Sequence, residues 1–123
     1  QAKLGQAEAV VRVGNLDPKR DYCDVSDIVR GYREAILNGK SGEAYNLCSG
    51  ESIELGELLK LLIERSGADV EIVQEPSRMR SVDIPELLGS YEKAHRDFGW
   101  KPRVEREAML DGLLAYWLDV ISA

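Results

Sequence analysis

The residues best suited to chemistry in this chain are basic side chains placed beside acidic and aromatic ones. The stretch GNLDPKRDYCDV, residues 14–25, sets Lys19 and Arg20 next to Tyr22 directly after a turn. A guanidinium group matches paired anionic oxygens with two parallel N–H donors. This pattern predicts an anion site at Arg20, although charged turn residues are also common where the side chain only contacts water.

A second arginine-bearing stretch, PSRMRSVDIP, occupies residues 76–85. It places Arg80 three residues before Asp83, and a carboxylate of this kind suits the hydroxyl pair of a ribose. An arginine pair with one aspartate could therefore hold a nucleotide diphosphate. Solvated arginines, or arginines paired with surface carboxylates, remain the alternative interpretation.

The residue types for a self-contained catalytic centre are not grouped in this sequence. The single histidine, His95, falls in a helical segment without the cysteine or carboxylate spacing of a metal site. Most acidic residues belong to polar helix faces, which argues against a general acid–base pair. Four serines sit where turn chemistry explains them, with no nearby base: Ser41, Ser49, Ser66 and Ser81. We predict no catalytic residue and no metal ligand in this chain.

The glycine pattern does not predict a dinucleotide site either. A dinucleotide-binding fold needs a glycine-rich turn from a strand into a helix, where backbone N–H groups face the phosphates. The nearest match, GKSG at residues 39–42, lies between a helix and a strand. We interpret it as a loop.

Composition limits the remaining function classes. The chain has 123 residues, 44% of them hydrophobic, which suits one folded domain. Its net charge of −6 disfavours nucleic acid as a partner. The apolar runs are shorter than a membrane span and no signal peptide is recognisable, so we expect no membrane contact and a cytoplasmic location. Cys23 and Cys48 are expected to be reduced.

The order of secondary-structure signals predicts an α/β fold. Strands are predicted in AVVRVGNL, EAYNLCSG and DVEIVQ. Helices are predicted from a cap at Asp24 or Ser26 to about Leu37, within IELGELLKLLIERSG after Ser52, from Ser90 to Phe98, and from Glu105 to Asp119. The first has an apolar face formed by Val25, Ile28, Val29, Tyr32, Ala35 and Ile36, and the last is predicted to be strongly amphipathic. Such alternation favours parallel strands joined by right-handed crossovers.

Three stretches carry a resemblance to a known family. GNLDPKRDYCDVSDIVRGY, GEAYNLCSGESIELGELL and RMRSVDIPELLGSYEKAHRDFGWKP, in this order, resemble the C-terminal third of extended short-chain dehydrogenase/reductase enzymes acting on nucleotide sugars. Within these NAD-dependent epimerases and dehydratases, the chain is most similar to the branch of GDP-mannose 4,6-dehydratase and GDP-4-keto-6-deoxymannose reductase. The resemblance implies that residues 1–123 form one C-terminal nucleotide-sugar-binding domain, without most of the N-terminal Rossmann domain.

The resemblance also implies roles for individual residues. In the family, the arginines of the RD and R-x-x-D elements bind the substrate diphosphate, which here are Arg20 and Arg80. Asp83 matches the position that meets the nucleotide ribose. The GNLD-x-x-RDY segment wraps the diphosphate, which adds the three further substrate-binding candidates Asn15, Leu16 and Tyr22. Ser81 stands where the family commonly has proline.

The family's catalytic and cofactor motifs are not found in this sequence. No tyrosine has a lysine four residues later, and no glycine-rich turn follows the first strand. We therefore expect NAD(P) in the full-length parent enzyme, none bound by this chain, and no reaction by this chain alone. The expected function is the GDP-sugar-binding fragment of a dehydratase or reductase. A fragment of a UDP-sugar 4-epimerase-like enzyme and a non-catalytic binding module are the alternatives.

The segment EAYNLCSG leads to an expectation about association. By the resemblance it supplies the last parallel strand of the Rossmann sheet. In a chain with few other strands, its edge and the neighbouring helix faces would be uncovered. We therefore expect this chain to associate with itself.

Overall fold

The computed structural model describes residues 5, 7–79 and 83–122, and it has the predicted α/β fold. Within these ranges, four helices and a short 3-10 helix alternate with five strands. In chain order the elements are β1 Val10–Val13, β2 Lys19–Asp21, α1 Val25–Asn38, β3 Ser52–Glu54, α2 Leu55–Ser66, β4 Glu71–Gln74, the 3-10 helix Pro76–Arg78, β5 Glu86–Leu87, α3 Glu92–Phe98 and α4 Arg106–Ser122.

The chain divides into two compact units. Unit 1 combines residues 1–18, 54–85 and 110–123, and unit 2 combines residues 19–53 and 86–109. Each unit is therefore built from stretches that are distant in sequence.

Unit 1 contains a parallel two-stranded sheet. β1 pairs with β4 in a register that joins Val10 to Glu71 and Val13 to Gln74. Helix α2 ends at Gly67, whose left-handed conformation, with φ of 63°, a glycine adopts without strain. The predicted strands AVVRVGNL and DVEIVQ and the predicted helix between residues 53 and 67 are therefore confirmed, with narrower bounds.

Unit 2 contains a three-stranded sheet in the order β3-β2-β5, in which β2 and β5 run parallel. Strand β2 was not predicted; its residues were only expected to follow a turn directly. It forms because its neighbours provide hydrogen-bonding edges, which the polar sequence Lys-Arg-Asp does not indicate. Among the described residues of this unit, the largest fully buried side chain is that of Trp100, which is 1% exposed.

Helix α1 has the predicted bounds. Asp24 caps it, because its Oδ1 accepts the Ser26 N–H at 2.8 Å. The buried residues of the helix are Asp27 and Gly31. Four residues of its apolar face are exposed: Val25, Val29, Tyr32 and Ile36.

A close approach explains which face of α1 is buried. A Cβ atom at Gly31 would lie 2.6 Å from Leu47 Cδ1 and 2.9 Å from Trp100 Nε1. Only a glycine at this position lets the helix pack so closely on these two side chains. The buried face is consequently set by a small residue and a carboxylate and not by the apolar stripe.

The predicted strand EAYNLCSG is wrong. Residues 43–49 carry no strand assignment, and the next strand, β3, begins at Ser52. A strand requires a hydrogen-bonded neighbour, and among the described residues none pairs with this segment. Its C-terminal end is instead held by a side chain, as described below.

Helices α3 and α4 occur where the sequence predicts helices. Ser90 Oγ accepts the Glu92 N–H at 3.3 Å at the start of α3, and Gly99 ends that helix with φ of 72°. Helix α4 buries only Leu110, so the expected strong amphipathicity is wrong. Its exposed apolar side chains are Leu113, Tyr116, Trp117, Leu118 and Val120. None of the helices in the described ranges has the length and apolar character needed to cross a bilayer.

Candidate functional site

Arg20 lies at the wall of a cavity of unit 2. Strand β2 carries this half-buried side chain, and its Nη1 donates a 2.7 Å hydrogen bond to the carbonyl oxygen of Lys19. The cavity has a volume of about 530 Å³. Its other lining residues include Asp21, Ile28, Tyr32, Tyr45, Leu47, Cys48, Leu87 and Gly89. We call it the Arg20 cavity; it offers one guanidinium group within a mostly apolar wall.

Asp21 holds together three segments around the Arg20 cavity. Its Oδ1 accepts the backbone N–H of Ser49 at 2.7 Å and the hydroxyl of the same residue at 2.6 Å. Its Oδ2 accepts the N–H groups of Gly50 at 2.9 Å and Gly89 at 3.4 Å. A Cβ atom at Gly89 would lie 2.7 Å from Cys48 Sγ, so this packing also needs a glycine. Asp21 thereby fixes the strand end that carries Arg20.

Asp27, in helix α1, also holds segments of unit 2 together by accepting hydrogen bonds. It is 2% exposed, and its Oδ2 accepts the N–H groups of Arg103 at 2.8 Å and Val104 at 2.9 Å. Its Oδ1 accepts a hydrogen bond from Arg30, and its carbonyl oxygen accepts Trp100 Nε1 at 3.0 Å. Burial raises the pKa of Asp27, but these donors outweigh burial, and the pKa lies below its ordinary value.

Neither aspartate was singled out by the sequence reasoning. Asp21 had a signal, because it follows the arginine of the RD element directly. Asp27 had a weaker one, because it is an acidic residue among apolar residues inside α1. A carboxylate in such a position is expected to find donors, since an unpaired buried charge is costly.

The two cysteines of unit 2 are free thiols. Burial, followed by the negative charges of Asp27 and Asp21, raises the pKa of Cys23 to about 11. Burial and the charge of Asp21 also raise the pKa of Cys48. Both side chains are therefore thiols at neutral pH, which makes them poor nucleophiles and poor metal ligands.

Tyr22 lines a different cavity from Arg20. This second cavity of unit 2 has a volume of about 310 Å³, and we call it the Tyr22 cavity. Tyr91, Lys101, Arg103 and Arg106 are among its other lining residues. The structure therefore assigns two neighbouring site candidates of the sequence to two separate cavities of one unit.

Three other site candidates belong to unit 1. Asn15 Oδ1 accepts the Asp17 N–H at 3.1 Å, which forms an Asx-type turn. The carbonyl oxygen of Leu16 accepts the Gly56 N–H at 2.9 Å, so this segment is tied to the start of α2. Asp83 is half-buried. Arg80 lies outside the described residues.

The chain's own glycine turns do not fit the pyrophosphate of NAD(P). Gly14 follows β1, but a Cβ atom there would lie 2.3 Å from the carbonyl oxygen of Arg78, so backbone already fills that space. The GKSG loop ends a helix: the Gly39 N–H donates to the Ala35 carbonyl oxygen at 2.9 Å. Neither turn presents the N–H groups of a helix N-terminus. In the described ranges, no group of three or more His, Cys, Asp or Glu side chains is placed to hold a metal ion.

Comparison with solved structures places the chain among the NAD(P)-dependent epimerases and dehydratases. RMD from Pseudomonas aeruginosa, solved in complex with NADPH, matches with a TM-score of 0.89 and 32% sequence identity. The match covers 97% of this chain and 39% of that one. UDP-glucose 4-epimerase from Thermotoga maritima, solved with UDP-glucose, matches with a TM-score of 0.82 and 32% identity over 93% of this chain and 36% of that one. The α/β structure thus corresponds to the C-terminal portion of extended short-chain dehydrogenase/reductase enzymes.

The sequence comparisons define the family more closely. The family model described as GDP-mannose 4,6 dehydratase matches residues 1–113, and the chain belongs to this family. It is 36% identical to GDP-6-deoxy-D-mannose reductase of Pseudomonas aeruginosa over 115 residues, which are 94% of this chain and 38% of that enzyme. It is 31% identical to UDP-glucose 4-epimerase of Bacillus subtilis over 89% of this chain and 34% of that enzyme. The chain therefore spans little more than a third of the length of these relatives. The family resemblance seen in the sequence is confirmed.

Proposed function

We propose that this chain is the nucleotide-sugar-binding part of an NAD(P)-dependent enzyme acting on GDP-sugars, a dehydratase or a reductase. The observation that carries the proposal is the position of Arg20 in the wall of the Arg20 cavity, on a strand end fixed by Asp21. The similarity to a GDP-6-deoxy-D-mannose reductase supports the guanosine nucleotide and the reductase alternative.

In this proposal the chain binds and orients the substrate. Arg20 donates charge-assisted hydrogen bonds to diphosphate oxygens, and the bonds of Asp21 to Ser49 and Gly50 limit the freedom of the strand that carries it. Asn15, Leu16, Tyr22, Arg80 and Asp83 remain substrate-binding assignments that rest on the family resemblance. In the whole enzyme the nicotinamide supplies hydride chemistry when bound.

Titration calorimetry with GDP-mannose tests this function. We expect Arg20→Gln to weaken binding about tenfold, because one charge-assisted pair is lost. The matched control is Arg33→Gln, which removes an exposed guanidinium group from α1 of the same unit and is expected to leave affinity unchanged. Equal affinity of wild type and Arg20→Gln would contradict the assignment.

A second candidate, a UDP-sugar 4-epimerase-like enzyme, is favoured by the 31% identity to the epimerase of Bacillus subtilis. The same titration with UDP-glucose separates the two, since the GDP-sugar proposal requires the tighter binding for GDP-mannose. A binding module without catalysis is the third candidate. It would bind the sugar nucleotide but restore no activity when joined to the catalytic part of a relative.

We further propose that the chain alone does not bind NAD(P), because its two candidate glycine turns are filled by backbone or end a helix. Titration with NADPH should show no saturable heat. Micromolar affinity would contradict this proposal.

Self-association is the third part of the proposal, with a second copy of the chain as the partner. The exposed stripe of α1, formed by Val25, Val29, Tyr32 and Ile36, is a surface that a second copy could cover. Light scattering at micromolar concentration should report a dimer or larger species. A monomer over a hundredfold range of concentration would exclude it.

A further inference from the structure

The Tyr22 cavity combines exposed positive charge with a backbone turn that is held by hydrogen bonds. Trp100 Nε1 and the N–H groups of Arg103 and Val104 all donate hydrogen bonds to Asp27. These bonds hold the backbone of the turn formed by residues 100–104 in place. The carbonyl oxygen of Lys101 accepts a 2.6 Å hydrogen bond from Arg30, which fixes the turn at one further point. The side chains of Lys101 and Arg103 are exposed and line the cavity.

The charges of the Tyr22 cavity do not cancel. Three basic residues and two acidic residues, Glu51 and Glu105, are among those that line it. Arg106 is paired with Glu51 at 3.3 Å. Among the described residues, no hydrogen bond or ion pair of the Lys101 or Arg103 side chain is found, in a chain whose net charge is −6. An excess of positive charge on a fixed turn, in an acidic protein, indicates an anionic ligand.

Two tyrosines also line the cavity. Tyr22 and Tyr91 are half-buried, and Tyr91 packs edge-to-face on Trp100 with ring centroids 6.0 Å apart. A Cβ atom at Gly50 would lie 3.2 Å from Tyr91 Cε1, so this ring is held on a second side. The volume of about 310 Å³ is at the small end of ligand pockets, which suits a small molecule and not a polymer.

We propose that the Tyr22 cavity binds a small phosphate monoester that carries a planar ring, with Lys101 and Arg103 on the phosphate and Tyr91 against the ring. Tyr22 keeps its assignment to the nucleotide-sugar substrate, so the contacts proposed here rest on Lys101, Arg103 and Tyr91, none of which the proposed function uses.

The test uses the 123-residue chain with phenyl phosphate and inorganic phosphate as probes, followed by amide chemical shifts in NMR titrations. We expect saturable shifts at Arg103 and Val104, and tighter binding of phenyl phosphate than of inorganic phosphate. Lys101→Gln and Arg103→Gln should each weaken phenyl phosphate about fivefold, a reduced effect because both groups are exposed. Tyr91→Leu should bind phenyl phosphate no more tightly than inorganic phosphate. Its amide spectrum serves to check that the fold is unchanged.

Two control variants make the outcome decisive. Lys60→Gln removes an exposed cation from α2 in unit 1 and should leave both affinities unchanged. Arg33→Gln removes an exposed guanidinium group from α1 in unit 2 and should do the same. Absence of saturable shifts, or a loss of affinity in either control variant equal to that in Lys101→Gln, would overturn the proposal.

Discussion

The two faces of helix α1 differ in a way that its sequence pattern does not indicate. The buried face contains Asp27, which is 2% exposed, and Gly31, whereas the apolar face contains Ile36, which is 83% exposed. One face is specified by hydrogen bonds and close packing within unit 2. The other is apolar and uncovered by the described residues of that unit.

This difference shows that hydrophobic periodicity predicts where a helix forms more reliably than which side it buries. The apolar stripe is long enough to specify a helix with a covered face. The position of the buried face within unit 2 is determined by Asp27, because a buried carboxylate needs donors, and the N–H groups of Arg103 and Val104 supply two of them. The predictions below test this division between the two faces.

The largest effect is expected from Asp27→Ala on the buried face. The substitution leaves the N–H groups of Arg103 and Val104 and the guanidinium group of Arg30 without their acceptor. We expect a loss of about 3 kcal/mol in the free energy of unfolding, measured by urea denaturation. A loss below about 1 kcal/mol would show that the carboxylate does not specify this face.

A pair of glycine substitutions provides the next test. The Cβ atom added by Gly31→Ala would collide with Leu47 and Trp100. Trp100 cannot easily move away, because its Nε1 donates a hydrogen bond to the Asp27 carbonyl oxygen. The substitution should lower the free energy of unfolding by about 1–2 kcal/mol. Gly112→Ala is the matched control, because a Cβ atom there meets nothing within 4 Å in helix α4. It should stabilise by about 0.5–1 kcal/mol. Effects of the same sign would mean that close packing at Gly31 is not limiting.

Acid should affect the buried face through Asp27. Its pKa in the folded chain lies below the ordinary value of 3.8, so its contribution to stability is present above pH 4 and is lost as the pH falls through the folded value. Asp27→Asn should make stability fall less steeply at low pH. The measurement is the urea midpoint of unfolding between about pH 2 and about pH 6, a range that includes the usual pKa values of carboxyl groups. An unchanged pH profile would mean that other carboxylates account for the decline.

The smallest effect on stability is expected on the exposed face. Ile36→Ser should change the free energy of unfolding by less than about 0.5 kcal/mol, as exposed positions usually do. If a second copy covers this face, the same variant should shift the association measured by light scattering to higher concentration. A large loss of stability at low concentration, where the chain is monomeric, would contradict the exposed position.

The sequence predicted most of the elements but fewer of their partners. Strands β1 and β4 and all four helices were found from alternation, periodicity and caps such as Asp24, which are local signals. β2, β3 and β5 were not predicted and the strand EAYNLCSG was wrong, because strand formation depends on a neighbour that the local sequence does not contain. A long-range partner also explains why Asp27 could not be predicted, since its donors lie 76 and 77 residues away.

The candidate site was predicted by residue type and resemblance more than by geometry. Arg20 and Tyr22 were grouped because they are two positions apart, yet they line different cavities. The positive charge of the Tyr22 cavity was not recognised, because Lys101 and Arg103 are ordinary surface residues until the fold brings the tyrosines close to them.

The contacts of Asp27 also bear on the order in which the chain folds. The two halves of unit 2 are separated by residues 54–85, all of which belong to unit 1. Contacts between residues this distant in sequence form slowly, because the intervening chain must first be closed into a loop. During synthesis α1 emerges well before Trp100, so we expect it to remain without its buried partners until the last quarter of the chain is available. Fluorescence of Trp100 should then report the completion of unit 2 as one of the final events of folding.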